Sequence, residues 1–188
     1  MKTLKLTRKD FKGTDSYWKE YVGKEDVSVY EGNIEIEGGL GYVRFASLKA
    51  TGFVLSGAGT GIEAGWGIEA GDGIEAGDGI NAGEGIKAGW GIEAGDGIEA
   101  GAGIVSGLEI TCKLALSSSL RIFAGVCWWR KIDEEEKTIT CGKLESGVVA
   151  YGILKEIGMP VVAIDKETGI ATDEIIELNG KKYQIIKG

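Results

Sequence analysis

Between residues 61 and 103 the chain carries nine carboxylates, Glu63, Glu69, Asp72, Glu75, Asp78, Glu84, Glu93, Asp96 and Glu99, against one base, Lys87. Their regular spacing raises three kinds of chemistry. A pair of carboxylates can cleave a glycosidic bond, but the acid and its partner must then sit in different environments, and repetition makes these sites equivalent. Clustered acids can bind calcium, yet the nine-residue glycine–aspartate signature of calcium-binding β-rolls is absent. An array of carboxylates on a rigid support can also imitate the phosphates of a nucleic acid.

Other routes to catalysis are narrowed by composition. The 188 residues contain no histidine, which removes Ser-His-Asp and Cys-His nucleophile activation, His-ligated zinc and an imidazole base. Cys112, Cys127 and Cys141 lie 15 and 14 residues apart, a spacing that fits neither a disulfide framework nor a CxxC-type metal site, so buried free thiols are expected. Glycine strings such as Gly57-Ala58-Gly59 arise from composition and lack the βαβ context of a nucleotide fingerprint. The sequence therefore predicts a protein that is not an enzyme and has no cofactor and no metal.

The carboxylates ride on a repeat. Residues 61 to 103 read GIEAGWGIEAGDGIEAGDGINAGEGIKAGWGIEAGDGIEAGAG, seven copies of G-I-x-A-G-x. Ile and Ala two places apart share one face of a strand, so they point inward and the residue between them points out. The sixth position holds Trp66, Asp72, Asp78, Glu84, Trp90, Asp96 and Ala102, a mixture that only a corner or surface tolerates. Flanking glycines suit such a corner because they accept positive φ and allow close backbone approach. Each hexad is thus a short strand plus a turn, and a fixed short period signals a solenoid. Three hexads per coil would stack Asp72 beside Trp90 and Asp78 beside Asp96. Two per coil would instead align Trp66, Asp78 and Trp90.

Flanking segments alternate apolar and polar residues with glycine breaks (Ile34, Ile36, Tyr42, Val43, Phe45, Leu48) and read as wider rungs. Open solenoid ends need caps. Asp15 or Ser16 is placed to start a short helix ended by Gly23. A second helix is expected over residues 147 to 158, stopped by Gly158 and Pro160, followed by a hairpin at Asn179-Gly180. The expected architecture is a single all-β domain, a parallel β-helix over 33–146 with an N-terminal cap over 1–32 and a helix-and-hairpin cap over 147–188.

Charge is distributed unevenly along this plan. The chain has 29 acids and 21 bases, a net of −8. Nine acids and one base belong to the track, leaving 20 of each elsewhere, so the repeats carry the entire net charge. Rungs of a parallel sheet lie about 4.8 Å apart, so acids on successive coils would form like-charge ladders. Such acids also solubilise a glycine-rich solenoid. The N-terminal segment gathers Lys2, Lys5, Arg8, Lys9, Lys12, Lys19 and Lys24 against Asp10, Asp15 and Glu20, but no nucleic-acid motif accompanies them and the larger field repels phosphate.

The hexads resemble the hexapeptide-repeat parallel β-helices. That resemblance implies acyltransferase or metalloenzyme activity resting on histidines, which this chain lacks. The order YWKEYVGKED, IEIEGGLGYVRFASLKATG, the GIEAGW track, RIFAGVCWWRK and CGKLESG also resembles proteins of phages and other mobile elements, a class that includes anti-CRISPR and anti-restriction inhibitors acting as DNA mimics. It implies an acidic inhibitor that binds a host protein, with a nucleic-acid-binding nuclease as the leading partner, through the nine carboxylates and the anchors Trp66 and Trp90. Two alternatives stand beside it: a self-assembling structural module, and a histidine-free carbohydrate-active enzyme. No apolar run reaches the length of a membrane span and the first residues lack a signal-peptide core, so a cytoplasmic protein without membrane or direct nucleic-acid contacts, able to form homo-oligomers, is expected.

Overall fold

The computed structural model describes residues 1–13 and 17–159, together with the backbone of the strands Ile175–Leu178 and Lys181–Gln184. Within the track the first hexad belongs to the strand Thr60–Ala64 and each later one forms a three-residue strand, from Ile68–Ala70 through Ile98–Ala100, and the three residues that remain in each hexad make the corner. In register, Ile74 lies beside Ile92, Ile80 beside Ile98 and Ile86 beside Ile104. The repeat along the stack is therefore 18 residues, three hexads per coil.

Three parallel sheets result. Sheet A contains Asn33–Ile36, Val54–Ser56, Ile74–Ala76, Ile92–Ala94, Ile110–Cys112 and Thr138–Cys141; sheet B contains Gly41–Phe45, Thr60–Ala64, Ile80–Ala82, Ile98–Ala100 and Ala115–Ser118; sheet C contains Leu48–Ala50, Ile68–Ala70, Ile86–Ala88, Ile104–Ser106 and Arg121–Phe123. The fold is a nearly all-β parallel solenoid with no α-helix among the described residues and two isolated 3-10 turns, Arg8–Asp10 and Glu135–Lys137. No helix among them is long and apolar enough to cross a membrane.

The inward column of each sheet is closed to water. Ile62, Ile68, Ile74, Ile80, Ile86, Ile92 and Ile98 are buried, as are the alanines two places on. Isoleucine fills the interior near the strand start and alanine leaves room for the turn that follows, which is why the pair recurs unchanged while the residue between them varies. Burial of one such isoleucine contributes roughly 1.5–3 kcal/mol.

The two glycines of a hexad have different duties. A methyl group on Gly83 would lie 2.1 Å from the Gly65 carbonyl oxygen of the coil below, whereas one on Gly85 would lie 3.3 Å from the Gly103 oxygen. Gly83 is thus required by close backbone approach and Gly85 is only tightly fitted. None of the track glycines has positive φ, so the expected left-handed corner does not form; the corner is tight because backbone meets backbone.

Wider rungs flank the track as expected. Ile34, Val54 and Ile74 are neighbours at 20-residue steps, and the step from Ile110 to Ile139 grows to 29 because residues 124 to 137 loop out. Both expected helices are corrected to strands. Residues Trp18–Tyr21 pair antiparallel with Phe11–Gly13 and parallel with Gly41–Phe45, finishing sheet B. The Phe11 ring packs edge-on against Tyr21 and Phe45 there, an aromatic cover that a helix at this place would displace. Asp15 and Ser16, the expected helix starters, lie outside the described residues.

At the other end Val148–Tyr151 joins sheet C and Ile153–Glu156 joins sheet A. β-Branched Val148, Val149 and Ile153 favour strands, and Gly147, Gly152 and Gly158 adopt φ of +99°, +118° and +85°, which interrupts any helix through the segment. Parallel stacking accordingly runs past both ends of the 33–146 span: Thr3–Leu6 already pairs with Asn33–Ile36. The strands Ile175–Leu178 and Lys181–Gln184 form an antiparallel pair with Leu178 opposite Lys181, the register of a two-residue hairpin. Its turn, Asn179-Gly180, lies outside the described residues, as does Pro160.

Candidate functional site

Three hexads per coil divide the nine carboxylates among all sides of the solenoid. Glu75 and Glu93 are neighbours on the outside of sheet A. Glu63 and Glu99 lie on sheet B with Asn81 between them. Glu69 lies on sheet C between Lys49 and Lys87. The corners sort likewise through backbone bonds between coils. Trp66, Glu84 and Ala102 stack between sheets B and C, Asp72, Trp90 and Leu108 between C and A, and Asp78 and Asp96 between A and B.

Like-charge ladders were expected, and inside the track the structure shows two such steps, Glu75 to Glu93 and Asp78 to Asp96. Elsewhere the ladder is interrupted or neutralised. Lys49 Nζ and Lys87 Nζ approach Glu69 at 2.9 and 3.2 Å, and their hydrogen bonds hold its carboxyl below the usual range. Arg44 Nε donates to Glu63 at 3.0 Å. By contrast, among the described residues Asp72, Glu75, Asp78, Glu93 and Asp96 have no ion-pair partner. Partial burial, with Asp96 above it, pushes the Asp78 carboxyl up.

Seven of the nine track acids lack an ion pair, five of them on sheet A and its two corners and the other two, Glu84 and Glu99, elsewhere, so sheet A and its corners form the most strongly uncompensated side among the described residues. A groove enclosing about 560 Å³ runs along it, between the Asp72–Trp90 corner and the Glu75–Glu93 column, and Gly73 and Gly91 form its floor because they project no side chain. Glu109 enters from the next coil, its Oε1 3.0 Å from where a methyl on Gly91 would stand. Phe53 and Leu55 line the lower end. Glu109 occupies the place of Gly91 one period later, so extending the 18-residue step beyond residue 103 finds it. Phe53 and Leu55 precede the regular hexads and no pattern marks them.

Both tryptophans singled out by the repeat are exposed, Trp66 by 62 % and Trp90 by 53 %, but their settings differ. Trp66 borders a groove containing Lys49, Glu69, Glu84 and Lys87. Trp90 lines the acidic groove on one side and a second hollow with Trp128 and Trp129 on the other. Those two indoles meet edge to face at 6.0 Å and belong to the loop that widens the last coils.

Among the described residues no three His, Cys, Asp or Glu side chains are grouped to hold a metal ion. Cys112 and Cys141 are buried one above the other in sheet A and all three cysteines are free thiols. Burial, aided by Cys141, pushes the Cys112 thiol up to about 12, so it stays protonated and unreactive at neutral pH. Comparison of the chain with protein-family models finds no match, and comparisons with curated proteins and with solved structures likewise find none.

Proposed function

We propose that this protein is a non-enzymatic binding protein whose sheet-A side docks onto a basic surface of a host protein. The observation that carries this reading is the segregation of charge: Glu69 on sheet C is neutralised in place, while the track's acids on sheet A and its corners, unlike Glu35 below them, stand without ion-pair partners on a rigid element. Leaving them so costs stability through mutual repulsion, on the order of 1 kcal/mol for a close pair in high dielectric. A function that uses the unpaired carboxylates gives that cost a purpose.

Carboxylates repeated at about 4.8 Å along a straight sheet approach the spacing of phosphates along a nucleic-acid strand. The partner class this favours is a protein with a nucleic-acid groove, and a defence nuclease blocked by a phage-encoded inhibitor is its concrete form. Trp90 within the acidic rim supplies an anchor of the kind that dominates protein interfaces. Affinity capture from nuclease-treated bacterial lysate at low and high salt tests the proposal. Retention of a basic nucleic-acid enzyme, lost at high salt and displaced by added DNA, is the expected result; recovery of nothing but the protein itself would reject it.

Self-assembly is favoured by a separate observation. At the C-terminal end of the described solenoid, Val148, Tyr151, Ile153 and Leu154 are exposed on the last strands of sheets C and A, and Ile157 is exposed just beyond them. An exposed apolar sheet edge templates further pairing. Sedimentation that shifts to larger species with rising protein concentration would support this reading, and a concentration-independent monomer would remove it.

A further inference from the structure

Among the described residues, Arg44 is held jointly by an indole and a carboxylate. On sheet B the Arg44 guanidinium carbon lies 4.9 Å from the centre of the Trp18 ring, while its Nε donates to Glu63. One guanidinium thus serves both neighbours, the indole by a cation–π contact and the carboxylate by a hydrogen bond.

The sheet-A groove presents the same two components without the cation. Trp90 is half exposed along one wall, and Asp72, Glu75, Glu93 and Glu109 surround the floor. None of these carboxylates meets a base among the described residues. Trp66, at the equivalent place in another hexad, shares its groove with Lys49 and Lys87, which repel a further cation.

We infer that the Trp90 groove receives an arginine side chain of the partner protein, stacked on the indole and bonded to the carboxylates around it. This rests on the reading of sheet A as the docking side and names the chemistry of what enters it. Charge complementarity alone would accept lysine equally. The indole selects arginine, because a flat, weakly hydrated guanidinium loses less solvation on stacking than a compact ammonium.

The test titrates the full-length protein with hexaarginine and with hexalysine at matched ionic strength, following tryptophan fluorescence and calorimetry. The inference expects hexaarginine to bind about fivefold more tightly, the equivalent of one cation–π contact. Trp90→Leu should erase that preference by weakening hexaarginine more than hexalysine, Trp90→Phe should keep part of it, and Trp66→Leu should keep all of it. Equal affinities for the two peptides, or loss of the preference with Trp66→Leu, would overturn the arginine inference while leaving the acidic docking side intact. If Glu75→Gln/Glu93→Gln binds both peptides as the wild type does, sheet A is not the docking side and both conclusions fall.

Discussion

Sheets A and C are built on the same inner layer and carry opposite outer ones. Inside, both present Ile and Ala along the coils of the track. Outside, sheet C sets Glu69 between Lys49 and Lys87, whereas sheet A stacks Glu75 on Glu93 beside Asp72, Asp78 and Asp96. The contrast teaches that packing between coils dictates the Ile, the Ala and the glycine after it in each hexad. The outward position and the sixth position are free to encode a surface, and the 18-residue coil decides which side each one joins.

The largest expected effects test whether the interior is indifferent to its surface. Ile74→Ala beneath sheet A and Ile86→Ala beneath sheet C should each lower unfolding free energy by about 2–5 kcal/mol, as deletion of a buried side chain does. Urea denaturation followed by circular dichroism should place the two within about 1 kcal/mol of each other. A larger gap would mean that the outer layers contribute to packing below them.

Corner geometry provides the next contrast. Gly89→Ala would bring a methyl group to 1.9 Å from the Gly71 carbonyl oxygen and force the backbone of successive coils apart, a loss on the order of 3 kcal/mol. Gly91→Ala meets chiefly the mobile end of Glu109 and should cost less than about 1 kcal/mol by the same assay. Since Gly91 floors the acidic groove, this variant should also weaken hexaarginine binding, and unchanged binding would remove the floor from the account.

The smallest effects concern charge. Asp78→Asn should stabilise the protein at neutral pH by about 0.5 kcal/mol, and Glu69→Gln should destabilise it by a similar amount, as befits part-exposed groups. Their pH dependences run in opposite directions. Asp78 has its carboxyl raised in the folded state, so its ionised form opposes folding and that penalty lifts as pH falls through the folded value. Glu69 has its carboxyl lowered, so its contribution is present above the unfolded value and disappears as pH falls through the folded one. Thermal melts of each variant and the wild type between pH 7 and pH 3 should therefore diverge, and parallel curves would mean the two sides do not differ electrostatically.

Most of the fold was legible because the Ile–Ala pair is buried identically in every hexad, and alternation in the flanks marked their strands too. Coil size was not, since any multiple of six satisfies the inner pattern; only three-dimensional closure selects 18. With coil size open, the acids read as one acidic track, and their separation into a neutralised side and an unpaired one was invisible. Arg44 and Lys49 lie outside the repeats, so their pairing with Glu63 and Glu69 leaves no periodic trace. The terminal segments misled for a local reason: helix starts and stops were present around residues 15–23 and 147–158, but edges of existing parallel sheets recruited those residues as strands.

The most direct measurement compares two baits in the same capture from nuclease-treated lysate. One carries Glu75→Gln, Glu93→Gln, Asp78→Asn and Asp96→Asn; the other carries Glu69→Gln and Glu84→Gln on the opposite side. If sheet A is the docking side, the first bait loses the DNA-displaceable partner that the wild type retains and the second keeps it. Retention by both baits, or loss confined to the second, would contradict the assignment.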